Sequence, residues 1–333
     1  MITRLIATLA LLLLSFGGQA ETFKIATAAP EGTAWMETMR RGAAEVDKRT
    51  AGRVRFTFYP GGVMGNEASV LRKVRVGQLH GGALTALGLA EIFPDVNVYG
   101  LPFAFRSFDE ADYVRSRMDK TVVEGLKNKG FVSFGLTENG FAYLMSSDPI
   151  RRVGDLKGHK VWVPEGDAIT RAAFEAVGVS PVALPLTDVL TGLQTGLLDT
   201  VGTSPVGAIA LQWHSRVRYL TDMPLVYLCG SLVIDGKAFA KLSPADQAVM
   251  REVLERLTAE LNRQSRADNA NALKALTRQG IQLAAPSQED VAGWLSNVDR
   301  AMERLAQQGV FSPEALKTLR RHVADFRAGR RAP

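Results

Sequence analysis

The sequence predicts an α/β protein built as two lobes, and three observations carry that prediction. The chain has 333 residues, too many for one small core and enough for two lobes of ordinary domain size. Its first structured third reads strand, helix, strand, helix, the order that builds a mostly parallel sheet. Late in the chain an apolar stripe continues for about 35 residues, roughly 50 Å as a helix, longer than one small domain. Such a helix bridges two lobes, unless it is two helices joined through the polar stretch Asn262–Asn271. Hydrophobic residues at 46% and charged residues at 22% exclude a disordered or collagen-like chain.

Residues 1–20 stand apart from the fold. Met1-Ile2-Thr3-Arg4 is a short basic start, Leu5 to Leu14 is apolar except for Thr8, and Gly18-Gln19-Ala20 supplies small residues for cleavage. That order is a secretion signal. As a membrane anchor the run falls short, because ten residues reach about 15 Å, half a bilayer core. Cys229 is the only cysteine, so no disulfide forms within the chain. Export without disulfides suits a periplasmic protein with a large core. Cys229 lies in the apolar Leu225-Val226-Tyr227-Leu228-Cys229 and reads as a buried thiol rather than a nucleophile.

Phe23-Lys24-Ile25-Ala26-Thr27 alternates as a strand, and Pro30-Glu31-Gly32 turns the chain. Trp35, Met36, Met39, Ala43 and Val46 recur at helical spacing until Gly52. Arg53 to Tyr59 alternates strictly as a half-buried strand, ended by Pro60-Gly61-Gly62. A helix around 67–76 and a small-residue stretch at 81–88 follow. Ser107-Phe108-Asp109-Glu110 is a capping box. Residues 131–136 and 142–146 read as two strands separated by Thr137-Glu138-Asn139-Gly140. Lys160-Val161-Trp162-Val163 is a strand, with helices near 169–177 and 188–195. The apolar run 225–234 alternates poorly and reads as a strand buried on both faces. Ser243 then caps the long helix, with Pro244 in its first turn. No flexible tether appears, so strands are expected to cross between the lobes.

The net charge of +6 comes partly from a tail rich in arginine: Arg320, Arg321, Arg327, Arg330 and Arg331. The reading preferred over contact with nucleic acid or an anionic membrane is a solvated C-terminus, since only Phe326 interleaves the charges. Local spacing offers no catalytic or cofactor set. There is no Gly-rich phosphate loop and no Gly-x-Ser-x-Gly elbow. His80, His159, His214 and His322 are scattered without metal spacing. No cofactor and no metal are therefore expected, and a binding protein is preferred over an enzyme.

The ordered motifs resemble a known family over nearly the whole mature chain. They are Ile25-Ala26-Thr27-Ala28-Ala29-Pro30-Glu31-Gly32, Tyr59-Pro60-Gly61-Gly62 with Gly65, Leu101-Pro102-Phe103-Ala104-Phe105-Arg106 and Glu138-Asn139-Gly140-Phe141. Asp155-Leu156-Lys157-Gly158, Leu193-Gln194-Thr195-Gly196 with Asp199, and Lys241-Leu242-Ser243-Pro244 follow. The set is similar to the extracytoplasmic solute receptors of tripartite ATP-independent periplasmic (TRAP) transporters, of the DctP type. The resemblance implies a two-lobed, type II periplasmic-binding-protein-like fold with a long helix across both lobes. Lobe I is then 21–140 with 229–268, and lobe II is 141–228 with 269–333. It also implies a periplasmic receptor whose partners are a small-molecule ligand and TRAP-type membrane subunits, with no nucleic acid and with the membrane reached only through the transporter.

The sequence departs from the family where the ligand carboxylate is gripped. The resemblance places the carboxylate-binding arginine at Trp162, a second common arginine at Ala142, and an asparagine at Ser204 to within one residue. An indole, a methyl and a hydroxyl stand where two cations and an amide would bind an anion. A flat apolar face with one N–H donor suits a neutral or apolar, ring-bearing or lipid-like ligand better than a C4-dicarboxylate. Alternatively Trp162 packs in the core, or Arg171, Arg106 or Arg72 takes over the anion; Arg171 is the best substitute. Glu31, Thr33 and Trp35 after the first strand, and Thr85, Ala86 and Leu87 after a later one, are further lining candidates at strand ends. Leu186 occupies a family position against the ligand, and Trp213 reads as core before cleft. Alternative functions are a lipid- or signal-sensing receptor with another membrane partner, or a periplasmic enzyme.

Overall fold

Strand β1 (Glu21–Thr27) pairs in parallel with β2 (Val54–Tyr59), in the register Glu21 to Val54, and with β3 (Gly81–Thr85). Helix α1 (Ala34–Arg49) and helix α2 (Glu67–Arg75) make the two returns of this parallel unit. The computed structural model describes residues 20–329. The export signal expected at 1–20 lies outside the described residues except for Ala20, as do Arg330 and Arg331.

Two ten-residue strands carry the chain from one lobe to the other. Strand β10 (Val226–Asp235) pairs antiparallel with β3 through residues 230–234 and with β4 (Phe131–Ser133) at its end. Its first half pairs with β5 (Thr137–Ser146), whose far end pairs with β8 (Thr200–Thr203) and β9 (Tyr219–Thr221) of the second lobe. The parallel pair β6 (Trp162–Pro164) and β7 (Val182–Leu184) completes that lobe, joined to β8 by a bridge from Val161 to Thr200. The expected break at Glu138-Asn139-Gly140 does not exist. These residues sit inside β5, because a register shift at Leu228/Cys229 and the positive φ of Gly140 absorb the irregularity. A side chain at Gly140 would collide with Asn269 at about 2.7 Å, so the strand lies hard against the long helix.

That helix is one element. Pro244–Arg278 forms α9, capped by Ser243 Oγ accepting from the Asp246 N–H. Met250, Val253, Leu254 and Leu257 pack with Phe23, Ile25 and Met39 of the first lobe. Leu276 joins the core of the second, with Met145, Val201 and Trp213. The polar stretch in its middle stays helical because it faces the hinge. Asn262 accepts from the Glu138 N–H and donates to the Leu136 carbonyl, and Arg266 forks onto Glu138.

The C-terminus departs from the solvated tail expected of its charge. Pro313–Arg327 is helix α11, and Leu316, Leu319 and Val323 are buried in the largest core cluster. It packs on α4 (Phe108–Asn128) of the first lobe, although the sequence reading groups 269–333 with the second. Arg327 donates to the buried Glu110 carboxylate at 2.8 Å, and Phe326 meets Tyr113. Charge counting missed this because the arginines mark one face of an amphipathic helix. Glu110 also accepts from the Arg106 N–H, so Ser107 caps α4 but the expected reciprocal capping box is replaced by that contact.

Candidate ligand-binding cleft

A cavity of about 620 Å³ lies between the lobes, within the range that holds a small organic molecule. It sits beyond the carboxyl ends of β1, β3, β6 and β8, where the helices that follow those strands begin. One wall comes from residues 26–28, 83–88 and the start of α2. The opposite wall comes from Trp162, residues 164–167, Leu186, Thr203 and Trp213. The floor is the hinge itself, with Asn139, Ala142 and residues 225–229.

Trp162 is buried and still lines the cavity, in edge-to-face contact with Trp213 at 5.1 Å between ring centroids. Its indole N–H, expected to be on offer to a ligand, donates to the Leu184 carbonyl at 3.0 Å. The parallel β6–β7 pair brings that carbonyl to it. Trp162 therefore gives the cleft an apolar surface and no free donor. Trp213, expected in the core, is both: it is 1% exposed and lines the same cavity.

Helix N-termini at the ends of strands normally offer amides to an anion. Here the chain caps them with its own carboxylates. Asp167 heads helix α5 (Ala168–Ala176), accepting from the Ile169 and Thr170 amides at 3.0 and 2.9 Å and from the Thr170 hydroxyl at 2.6 Å. Glu67 reaches across to α3 (Ala86–Ala90), accepting from the Thr85 amide at 2.6 Å and the Thr85 hydroxyl at 2.7 Å. Burial pushes both carboxyls up, against the pull of those donors.

Among the described residues, no arginine, lysine or histidine lines the cavity. Arg171, the favoured substitute, does not line it and lies 3.9 Å from Glu175 on its own helix. Arg72 donates to Ser69 and lines a shallower pocket outside the cleft. Arg106 is exposed and lines neither. Arg115 is buried one layer behind the floor. It donates to the Tyr227 hydroxyl at 2.9 Å and to the Leu136 carbonyl, and pairs with Asp119. The Tyr227 hydroxyl in turn donates a hydrogen bond to Glu138 Oε2 at 2.9 Å. The Cys229 thiol at the floor is pushed up to about 12 by burial, which keeps it protonated and unreactive at neutral pH.

Of the residues singled out in the sequence, Trp162, Ala142, Thr85, Leu87 and Leu186 come together around the cavity. Glu31, Thr33, Trp35, Ser204 and Arg171 do not line it. Glu31 pairs with Arg40 at 2.7 Å, Thr33 caps α1, and Trp35 packs beside the first-lobe core. Ser204 is buried and caps α7 (Pro205–Ala210) through the Gly207 amide, while its neighbours Gly202 and Thr203 reach the cavity. The strand-end rule pointed at the right places one turn too late: Thr27 and Ala28 line the cavity rather than 31–35. Glu67 and Asp167 were missed because each reads locally as an ordinary first-turn or capping acid.

The family model for bacterial extracellular solute-binding protein family 7, DctP, matches residues 25–308. The chain belongs to this family. It is the solute-receptor family of TRAP transporters, whose members are periplasmic. The chain is 28% identical over 75% of its length to the YiiZ protein of Salmonella typhimurium, covering 77% of that protein. It is 25% identical over 80% of its length to the C4-dicarboxylate-binding periplasmic protein DctP of Rhodobacter capsulatus, covering 82% of it. The sugar acid binding protein DctPAm of Advenella mimigardefordensis, solved with galactonate, superimposes with a TM-score of 0.85 at 21% identity, over 92% of this chain and 99% of that one. This is a two-lobed type II receptor fold. Among the described residues no helix is long and apolar enough to cross a membrane.

Proposed function

We propose that this DctP-family chain works in the periplasm as a receptor, not an enzyme. Its lobes close on a small organic solute, and the closed form hands it to TRAP-type membrane subunits. The solute lacks the carboxylate of a C4-dicarboxylate and presents a largely apolar, ring-bearing surface. One observation carries this reading: the cleft offers a carboxylate no cationic partner, while the Trp162 N–H and the helix N-termini facing it are spent within the chain. A carboxylate buried there without a partner loses about 3–5 kcal/mol relative to a paired one. The Rhodobacter relative is named for C4-dicarboxylates and the Advenella neighbour holds a sugar acid, so the same fold serves anions elsewhere.

Thermal-shift and native mass spectrometry on the purified mature protein test this. Neutral cyclic compounds are expected to stabilise it, and succinate, malate, galactonate and sialic acid are not. Stabilisation by those acids alone overturns the reading, and turnover of a bound compound overturns the receptor assignment. A second reading keeps the fold and changes the membrane partner, making the chain a lipid- or signal-sensing receptor. The apolar lining at Leu87, Ile169, Phe174, Leu186 and Leu211 supports it. Uptake of a bound solute by vesicles holding the TRAP subunits favours the first reading over the second.

A further inference from the structure

The charge of the cleft goes further than the loss of a carboxylate grip. Four acidic residues line the cavity, and they come from both lobes: Glu67 and Glu91 from the first, Glu165 and Asp167 from the second. Among the described residues no basic one lines it. A cavity without any charge would be indifferent to the sign of its ligand. This one is not, because every ionised carboxylate on its wall repels an anion and attracts a cation, screened by solvent at the exposed Glu91 and Glu165 and less so at the half-buried Glu67 and Asp167. The aromatic walls act in the same sense. Trp162, Trp213 and Tyr227 are among the residues that line the cavity, and an aromatic face attracts an ammonium group.

We propose that the solute carried in this cavity is a cationic amine, an ammonium group on an apolar, ring-bearing body. The inference rests on the carboxylate-free reading above and adds the sign of the charge. The ammonium is held by the acidic residues at the junction of the two walls, with Asp167 and Glu165 the specificity-determining pair on the second lobe. The Asp167 side chain bonds to two amides and a hydroxyl and to no cation directly, with Arg171 of the same helix acting on it only through space. Glu165 accepts only from the neutral Asn66 amide at 2.9 Å among its side-chain contacts. A neutral ligand would leave these charges facing each other across the closed cavity. An ammonium ligand neutralises them as the lobes shut.

The experiment is calorimetry and thermal shift with matched triplets that share one ring skeleton. An example is 2-phenylethylamine, 2-phenylethanol and 3-phenylpropionate, extended to larger bicyclic skeletons. The amine of a triplet is expected to bind at least about tenfold tighter than the alcohol, and the carboxylate not at all. The ratio of amine to alcohol affinity is expected to fall by about tenfold in Asp167→Asn and in Glu165→Gln. Asn remains a good helix cap, and Gln retains an oxygen for Asn66, so both variants keep their local contacts. Equal affinity of amine and alcohol, with the carboxylate rejected, overturns the cation proposal and leaves the carboxylate-free reading standing. Preference for the carboxylate overturns both. Stabilisation by alcohols with no amine among the binders overturns the cation proposal alone, as does an unchanged ratio in both variants.

Discussion

Trp162 makes two contacts of different worth. Its ring is buried in the second-lobe core against Trp213 and its neighbours, whereas the Nε1 bond to the Leu184 carbonyl is one of two that this oxygen accepts, the other being from the Glu165 amide at 3.2 Å. Losing the ring should therefore cost far more than losing the N–H. Trp162→Ala is expected to destabilise the protein by about 3–5 kcal/mol, the range for deleting a large buried aromatic. Trp162→Phe keeps a ring and leaves the carbonyl still bonded, so about 1 kcal/mol is expected. Urea denaturation of the two variants checks the ordering. If Trp162→Phe costs as much as Trp162→Ala, the hydrogen bond and not the packing holds this wall.

At the scale of elements, α9 matters most, because its first half packs in the core of one lobe and its last turn in the core of the other. Its first turn is tied to the first lobe by Asp246, a buried carboxylate that accepts from Arg53 at 2.8 Å and from the Ser243 hydroxyl at 2.9 Å. The Arg53 guanidinium holds the Asp246 carboxyl below the usual carboxylate value, against desolvation. A group lowered on folding stabilises above its unfolded value, near 4, and loses that contribution as pH falls through the lower folded value. Arg53 is 46% exposed, so solvent screening limits the effect to about 1 kcal/mol. Asp246→Asn is expected to lower stability at pH 6 by about that amount and to narrow the gap from wild type at pH 2.5. Denaturation at the two pH values measures it, and a gap independent of pH removes the ion pair as the cause. The Ser243-Pro244 start and the stripe from Met250 to Leu257 made this helix legible in the sequence, since capping and apolar spacing are local signals. The continuity of β5 through Glu138-Asn139-Gly140 was not legible. It depends on Asn262, Arg266 and Asn269, more than a hundred residues away, which satisfy a strand that local turn residues would have ended. The cavity was half legible for the same reason: Trp162 and Ala142 stood out against a family pattern, but the carboxylates that seal the helix N-termini gain meaning only when the strand ends converge.

At the scale of the molecule, two strands and α9 cross between the lobes, and the cleft rim adds a contact that only a closed arrangement can make. Asn66 Nδ2 donates to Glu165 Oε2 across the mouth, while Asn66 Oδ1 caps α2 through the Ser69 amide at 3.0 Å. Beside it Gly62, at positive φ, leaves room for Thr187, which a Cβ there would approach to about 2.8 Å. The two jobs of Asn66 can be separated. Asn66→Asp keeps the cap, because aspartate serves as well as asparagine at a helix start. It also sets a carboxylate against Glu165, where the amide donated. Both groups are exposed, so the penalty on closure is modest, about 1 kcal/mol, and screened by salt. Because apparent affinity scales with the closed, binding-competent fraction, the variant is expected to bind a neutral solute about fivefold more weakly at low salt. The melting temperature of the ligand-free protein should stay near that of wild type. At 1 M salt the difference should shrink towards zero, and fluorescence transfer between labels on the two rims should report a more open ensemble. A salt-independent loss of affinity would place Asn66 in contact with the solute rather than in the closure of the lobes. An unchanged affinity would mean that the rim contact follows closure without stabilising it.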